Sequence, residues 1–272
     1  MLSDFRYIAP KSRTELFAHL SDKQKESRIL AGGTDLLVNI RNGLMSPEWI
    51  VDLKRIDGYS GITWSEKEGL VFRPSVTINE VLKNRLVKEH FPLLQDCGHD
   101  LASYQVRNRA TVIGNVVNAS PCSDMAPALL CLNAQARIAS ARGERSVLFR
   151  DFFTGVKKTV LAADEVLEAI VIPPSSAGAR GSYQKLKRIN GHDLGIVGVA
   201  VSLLGGSLSI AVSSSAPTPV LVDGLDQDIP VEEAVAKVSE VISPISDVRC
   251  TAEYRRFMVN VFIRRLLTEV RK

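Results

Sequence analysis

The segment Arg107–Asn133, RNRATVIGNVVNASPCSDMAPALLCLN, decides how the chain is read. Its first half is β-branched and glycine-containing, and its second half is an apolar helical run with a polar start. Between them, Asn115 to Asp124 is rich in Asn, Ser, Ala and Pro. Such a stretch has little side-chain bulk and many free N–H groups and hydroxyls, which lets a polar ligand come close.

A second stretch of this character lies earlier, ILAGGTDLLVNIRNG at 29–43. A strand ending at Leu30 meets Gly32-Gly33 and then a helix opening at Thr34 or Asp35. The first N–H groups of a helix have no intrahelical partner and carry the positive end of its dipole, so phosphate oxygens are favoured there. The two glycines permit positive φ and remove a Cβ that would hold a pyrophosphate away. Neither turn reads G-x-G-x-x-G or G-x-x-x-x-G-K-[ST], so neither a Rossmann fingerprint nor a P-loop is expected. Two such turns predict a cradle for a phosphorylated ligand.

AGGTDLL at 31–37, RNRATVIGN and ASPCSDMAPALL resemble the two FAD-binding motifs of the flavin subunit of the xanthine dehydrogenase family of molybdenum hydroxylases. WIVDLKRIDGYSGI, VLEAIVIPP, YQKLKRINGHDLGIVGVAV, SAPTPV and AEYRRFMVNVFIRRLL are similar to that family too, so the resemblance covers nearly the whole chain. It implies an α+β fold: a two-lobed FAD-binding domain of the vanillyl-alcohol oxidase type, then a C-terminal antiparallel sheet with packed helices. It implies FAD contacts from Leu30, Ala31, Gly32, Gly33, Thr34 and Asp35, from Thr111, Ile113, Gly114, Asn115, Ser120, Ser123 and Asp124, and from Leu167 and Lys185. The implied partners are a molybdopterin-binding large subunit that oxidises the substrate and a small subunit with [2Fe–2S] clusters; the flavin passes electrons to NAD⁺ or another acceptor. One residue departs from the family's T-[IV]-G-G-N: Ile113 replaces its first glycine, and a positive φ there would strain a β-branched residue.

Composition bounds the rest. A chain of 272 residues suits two or three subdomains sharing interfaces. Hydrophobic content of 45%, charged content of 24% and a net charge of +4 are those of an ordinary globular protein. The basic clusters, such as Lys185-Leu186-Lys187-Arg188, are short with few interleaved aromatics, which argues against nucleic acid. Cys97, Cys122, Cys131 and Cys250 have no C-x-x-C spacing, and the four histidines have no metal spacing. The N-terminus has no basic start or apolar run, and no segment approaches the ~20 apolar residues of a membrane span, so a cytoplasmic protein is expected.

In chain order, Ser12 and Glu15 read as a capping box, followed by a strand at 27–30, a helix at 35–41 closed by Asn42-Gly43, and a strand at 49–53. A hairpin is expected at 62–73, a helix from Thr77 to about Glu89, another from Leu93 to Ser103, and a helix capped by Ser123 or Asp124. Strands follow at 135–140 and 146–149, RDFFTG is a turn of helix, and 166–172 is an alternating strand. SSAGARG is the linker. This divides the chain into lobes at 1–55 and 56–174 and a C-terminal domain at 181–272. That domain carries strands at 181–188, 196–204 and 207–213 and helices at 231–242 and 251–270. In the last helix Tyr254, Phe257, Met258, Val261, Phe262 and Leu266 form an apolar stripe, with Arg255, Arg256, Arg264 and Arg265 mostly off it.

Asp124 reads either as a helix N-cap or as a partner of FAD ribityl or ribose hydroxyls, and the roles are compatible. Lys185 reads as a cation beside the flavin, which would favour its reduced anionic form, or as a solvated strand lysine. No Ser-His-Asp or Cys-His constellation and no acid–base pair emerges. Two other functional readings stand beside the electron-transfer subunit: a self-sufficient flavin oxidoreductase, and a scaffold subunit that has lost FAD, with Ile113 as the sign.

Overall fold

The computed structural model describes residues 4–23, 26–189 and 191–272. The start of the chain, read above for a leader segment, has its first three residues outside that set.

The glycine turn belongs to a small parallel unit. Strand β1 (Arg6–Ile8), helix α1 (Arg13–Lys23), β2 (Ser27–Leu30), α2 (Leu36–Arg41) and β3 (Trp49–Asp52) follow one another, and the sheet order is β1-β3-β2. The Asn42-Gly43 stop works as the sequence suggests: Gly43 has φ +72°, its N–H donates to Ile40 and that of Leu44 donates to Asn39. Strand β1, only three residues long, was not expected from the pattern.

The second sheet is antiparallel. Its strands are β4 (Ile62–Ser65), β5 (Gly69–Phe72), β6 (Gln135–Ser140), β7 (Gly143–Leu148) and, after the small hairpin β8 (Phe153–Gly155) and β9 (Lys158–Thr159), β10 (Val166–Ile172). Their order is β4-β5-β10-β6-β7. Strand β10 does not alternate; all seven residues are buried. Both of its faces are covered, and because the register shifts between Leu167 and Ala169 the faces do not follow odd and even numbers. Val166 clusters with Leu16, Phe17 and Leu20 of α1, while Leu167, Ile170 and Ile172 join the cluster that includes the helices between β5 and β6. Between β5 and β6 come α3 (Ile78–Lys83), α4 (Arg85–His90), α5 (Pro92–His99), α6 (Tyr104–Arg107), α7 (Val112–Val117) and α8 (Ala126–Cys131).

Three expectations here change. The helix expected over 77–89 is two, because the Asn84 side chain accepts from Leu86 and Val87 N–H and restarts the helix. The Thr77–Glu80 capping box does open the first of them. The next helix ends at His99, and Ser103 caps α6 by accepting from Val106 N–H. RDFFTG supplies a single 3₁₀ turn at Phe149–Asp151 and then strand β8.

The remaining strands, β11 (Arg180–Leu186), β12 (Val197–Leu204), β13 (Ser207–Ser213) and β14 (Val220–Asp226), form a meander, followed by α9 (Val231–Val241) and α10 (Ala252–Val270). Strand β14 was not expected: Pro217 and Pro219 mask its start. One face of this sheet, with Val199, Val201, Ile210 and Val212, packs on α9 and α10. The other carries Tyr183, Ala200 and Ala211 and joins the core of the second sheet. Small residues let the layers meet: a Cβ on Gly181 would lie 3.1 Å from Leu93. The SSAGARG segment is pinned rather than loose, with Ser176 donating to Leu132 O and Gly178 N–H donating to His90 O.

Helix α10 corrects the stripe expected of it. Tyr254 and Phe257 are exposed, while Arg255 is fully buried and donates to the carbonyls of Ile245, Ile196 and Ser214. The buried face is Val259, Phe262, Ile263, Leu266, Leu267 and Val270, one step around the helix. Nε and Nη1 find the three carbonyls, and Nη2, which makes no hydrogen bond of good geometry among the described residues, lies 2.9 Å from the Asp247 carboxylate that balances the buried charge. No helix among the described residues is long and apolar enough to cross a membrane.

Candidate functional site

The two motifs are brought into contact, and Gly32 is the point of contact. A Cβ there would sit 2.1 Å from Arg109 O and 2.9 Å from Ala110 Cα. Its missing side chain thus admits the backbone of the second motif, a reason the sequence reading, which assigned the space to a ligand, did not foresee. Gly33 is the residue with φ +77°, the left-handed conformation that reverses the chain into α2. Leu30 is buried at the end of β2 against Ile40 and Ile50. Ala31 and Thr34 are half-buried and Asp35 is exposed.

The backbone N–H groups of Gly32, Gly33, Thr34 and Asp35 find no acceptor among the described residues. Asp35 stands at the N-cap position of α2, yet its side chain makes no cap hydrogen bond. Its Oδ1 instead accepts from Asn118 Nδ2 at 2.9 Å, and Asn118 Oδ1 accepts from Lys157 Nζ at 2.9 Å.

In the second motif Thr111 caps α7, its hydroxyl accepting from Gly114 N–H at 2.9 Å. Ile113 lies inside α7, not at positive φ, and is buried at 4% exposure in the core with Val112 and Val116. The strain expected of it is absent, because helical φ suits an L-residue and the Cβ points inward. Gly114 faces the first motif: a Cβ there would lie 3.8 Å from that of Ala31.

Beyond α7 the loop is cross-braced. Asn115 Oδ1 accepts from the Ser123 hydroxyl at 2.6 Å and from Met125 N–H at 3.3 Å, and Ser120 Oγ accepts from Cys122 N–H. Ser123 and Asp124 do not cap α8, whose N-cap is Met125 without a side-chain bond; Pro127 occupies its first turn. Asp124 turns toward the C-terminal sheet, where Lys185 Nζ lies 2.8 Å away and the Tyr183 hydroxyl donates at 3.4 Å. Lys185 is 1% exposed in its side chain and also donates to Asp100 O. It is therefore no solvated strand lysine. Burial pushes the Asp124 carboxyl up, against the pull of the Lys185 ammonium.

Leu167 is buried in the core, in one cluster with Ile113 and Ile138 and beside a register shift in β10. Within the segment YQKLKRINGHDLGIVGVAV, which contains Lys185 and resembles the family, residue 190 lies outside the described set. Sequence reading missed Asn118, Lys157, Tyr183 and Arg249. Arg249 donates toward Cys122 Sγ and Gly195 O while pairing with Asp247, so it ties the C-terminal segment to the same loop. Asn118 belonged to the polar stretch already singled out; nothing local marks Arg249, which comes from 127 residues away.

Free donors on a glycine turn, packed against a loop of small and polar residues, are the chemistry a dinucleotide diphosphate asks for, so the residues present fit FAD.

The comparisons agree. Residues 3–175 match the family described as the FAD binding domain in molybdopterin dehydrogenase, and residues 181–270 match the CO dehydrogenase flavoprotein C-terminal domain. The carbon monoxide dehydrogenase medium chain of Afipia carboxidovorans is 31% identical over 96% of this chain and 94% of its own. The nicotine 6-hydroxylase medium subunit of Paenarthrobacter nicotinovorans is 31% identical over 98% of both. In the solved structure of reconstituted CO dehydrogenase from Oligotropha carboxidovorans, a chain with 31% identity superposes with a TM-score of 0.92, covering 98% of each chain. With both halves matched in order, the chain belongs to the FAD-binding medium subunits of the molybdenum hydroxylase family.

Proposed function

We propose that this chain is the electron-transfer subunit of a cytoplasmic molybdenum hydroxylase complex. It receives electrons from the [2Fe–2S] clusters of a small partner, while a molybdopterin-binding large partner oxidises the substrate, and delivers them to NAD⁺ or another acceptor. The lobes at 1–55 and 56–174 act as a vanillyl-alcohol oxidase-type FAD domain, with 181–272 covering it. FAD supplies, when bound, the ability to accept electrons singly and release them as a pair.

The chain's residues bind and orient. The N–H groups of Gly32 to Asp35 offer unpaired donors for the diphosphate; Thr111, Gly114 and Asn115 hold the facing segment, with Ile113 anchoring it from within the core. Ser120, Ser123 and Asp124 shape the loop beyond, which Lys185 and Tyr183 brace from the C-terminal sheet. The observation that carries this reading is the contact of Gly32 with Arg109 and Ala110, which brings the two motifs together although Gly32 and Arg109 are 77 residues apart in sequence.

The test is a visible spectrum of the purified chain, identification of the released chromophore, and reduction of the bound FAD on mixing with the reduced iron–sulfur partner. One FAD per chain that bleaches only with that partner present is the expected result. A chain that takes up no FAD, or FAD that the partner does not reduce, overturns it.

A further inference from the structure

The small hairpin β8–β9 ends in an unusual residue. Lys157 has φ +59°, a left-handed conformation that costs an ordinary side chain about 1–2 kcal/mol and that glycine adopts freely. Its N–H donates to Ala119 O at 2.9 Å, and Ala119 is itself left-handed at φ +45°. Two strained residues thus meet where the hairpin touches the second motif. Lys157 has no carboxylate partner among the described residues; its ammonium donates to Asn118 Oδ1.

With its carbonyl oxygen engaged by that ammonium, Asn118 turns its amide nitrogen outward, and this nitrogen donates to Asp35 Oδ1 at 2.9 Å. Asp35 has helical φ and ψ, and Leu37 N–H already donates to Gly33 O, so its carboxylate stands in the first turn of the helix, beside the free N–H groups from which an acidic side chain there can accept. Here it does not, and the glycine-turn donors stay unpaired. A carboxylate swung onto them would occupy the donors and repel a diphosphate.

We infer that Lys157 and Asn118 are positioning residues for FAD: acting in series, they hold the Asp35 carboxylate off the glycine turn and keep its N–H groups open to the diphosphate. The inference rests on the FAD cradle described above and assigns a role to residues outside both glycine motifs. Asp35 is then a competing group under restraint, and the strained lysine is what keeps it restrained.

The test uses the full chain stripped of FAD, with FAD itself as the probe, reading the dissociation constant by flavin fluorescence and the melting temperature of the apo chain. Asn118→Ala should weaken FAD binding about tenfold or more, the scale of one charge-assisted hydrogen bond, without lowering the apo melting temperature. Lys157→Gly, which the left-handed backbone accommodates, should act in the same direction and keeps the test valid if Asn118→Ala folds poorly. The decisive variant is Asn118→Ala with Asp35→Ala, which should bind FAD as tightly as Asp35→Ala alone. Failure of that rescue, or unchanged affinity in both Asn118→Ala and Lys157→Gly, overturns the inference while the cradle stands. A wild-type chain that binds no FAD overturns the cradle and this role together.

Discussion

Lys185, on the first strand of the C-terminal sheet, places its ammonium 2.8 Å from the Asp124 carboxylate in the loop of the second motif, and both groups are withdrawn from water. The pair joins the two domains at the point where the loop turns toward α8. Burying two charges is expensive, and the pair stands because Tyr183 and the Asp100 carbonyl complete the hydrogen bonding.

Lys185→Met keeps the length of the side chain and leaves Asp124 buried without its cation. Removing one partner of a buried pair costs about 3–5 kcal/mol, so the urea midpoint should fall sharply with little change in slope. Asp124→Leu in the same chain should recover much of the loss, because it removes the orphaned charge. Equal stability of wild type and Lys185→Met would show that water reaches the pair.

Two glycines of the 29–43 stretch, Gly32 within the first motif and Gly43 beyond it, separate contact from conformation. Gly32→Ala puts a Cβ against a backbone carbonyl that cannot rotate away, and should push the motifs apart, at a cost of about 1–3 kcal/mol and most of the FAD affinity. Gly43→Ala also sits in the glycine-rich stretch, but its Cβ would meet nothing within 4 Å. It should lose only the about 1 kcal/mol of a left-handed alanine and bind FAD normally. Melting curves and FAD titrations of the pair check this; a Gly32→Ala chain that binds FAD as wild type would remove the close approach as a requirement.

The sequence made the local devices legible and left the joints between them obscure. The glycine turn, the Thr77–Glu80 box and the Asn42-Gly43 stop are decided within a few residues, and each stands where its residues place it. The family resemblance led to the family that the comparisons show. What could not be read depended on distant partners. Arg255 looked like a surface residue of an amphipathic helix; it is buried because carbonyls at 196, 214 and 245 converge on it. Asp124 read as a cap, as a partner of FAD hydroxyls, or as both; it caps no helix, and a lysine 61 residues on draws its carboxylate toward the C-terminal sheet. Ile113 read as strained because the position was assigned a loop conformation, when Thr111 starts a helix there.

The segment that carries Arg249 and Arg255 should make stability depend on acid. Charged hydrogen bonds from Arg249, with the Arg255 guanidinium at 2.9 Å, hold the Asp247 carboxyl well below its ordinary value of 3.8. A carboxylate whose pKa is lower folded than unfolded contributes stability above its unfolded pKa and loses it as protons bind at lower pH. The contribution is therefore full at neutral pH and falls away as the pH drops below about 4. Asp247→Asn should lower the unfolding free energy at pH 7 by about 1–3 kcal/mol, the range for hydrogen bonds to charged groups. It should also flatten the acid limb, so that the gap between variant and wild type narrows from pH 5 toward pH 2. Denaturation series across that range decide the matter. A gap that stays constant with pH would mean that Asp247 acts through its shape and hydrogen bonds alone, and that the charge on its two arginine partners is neutralised elsewhere.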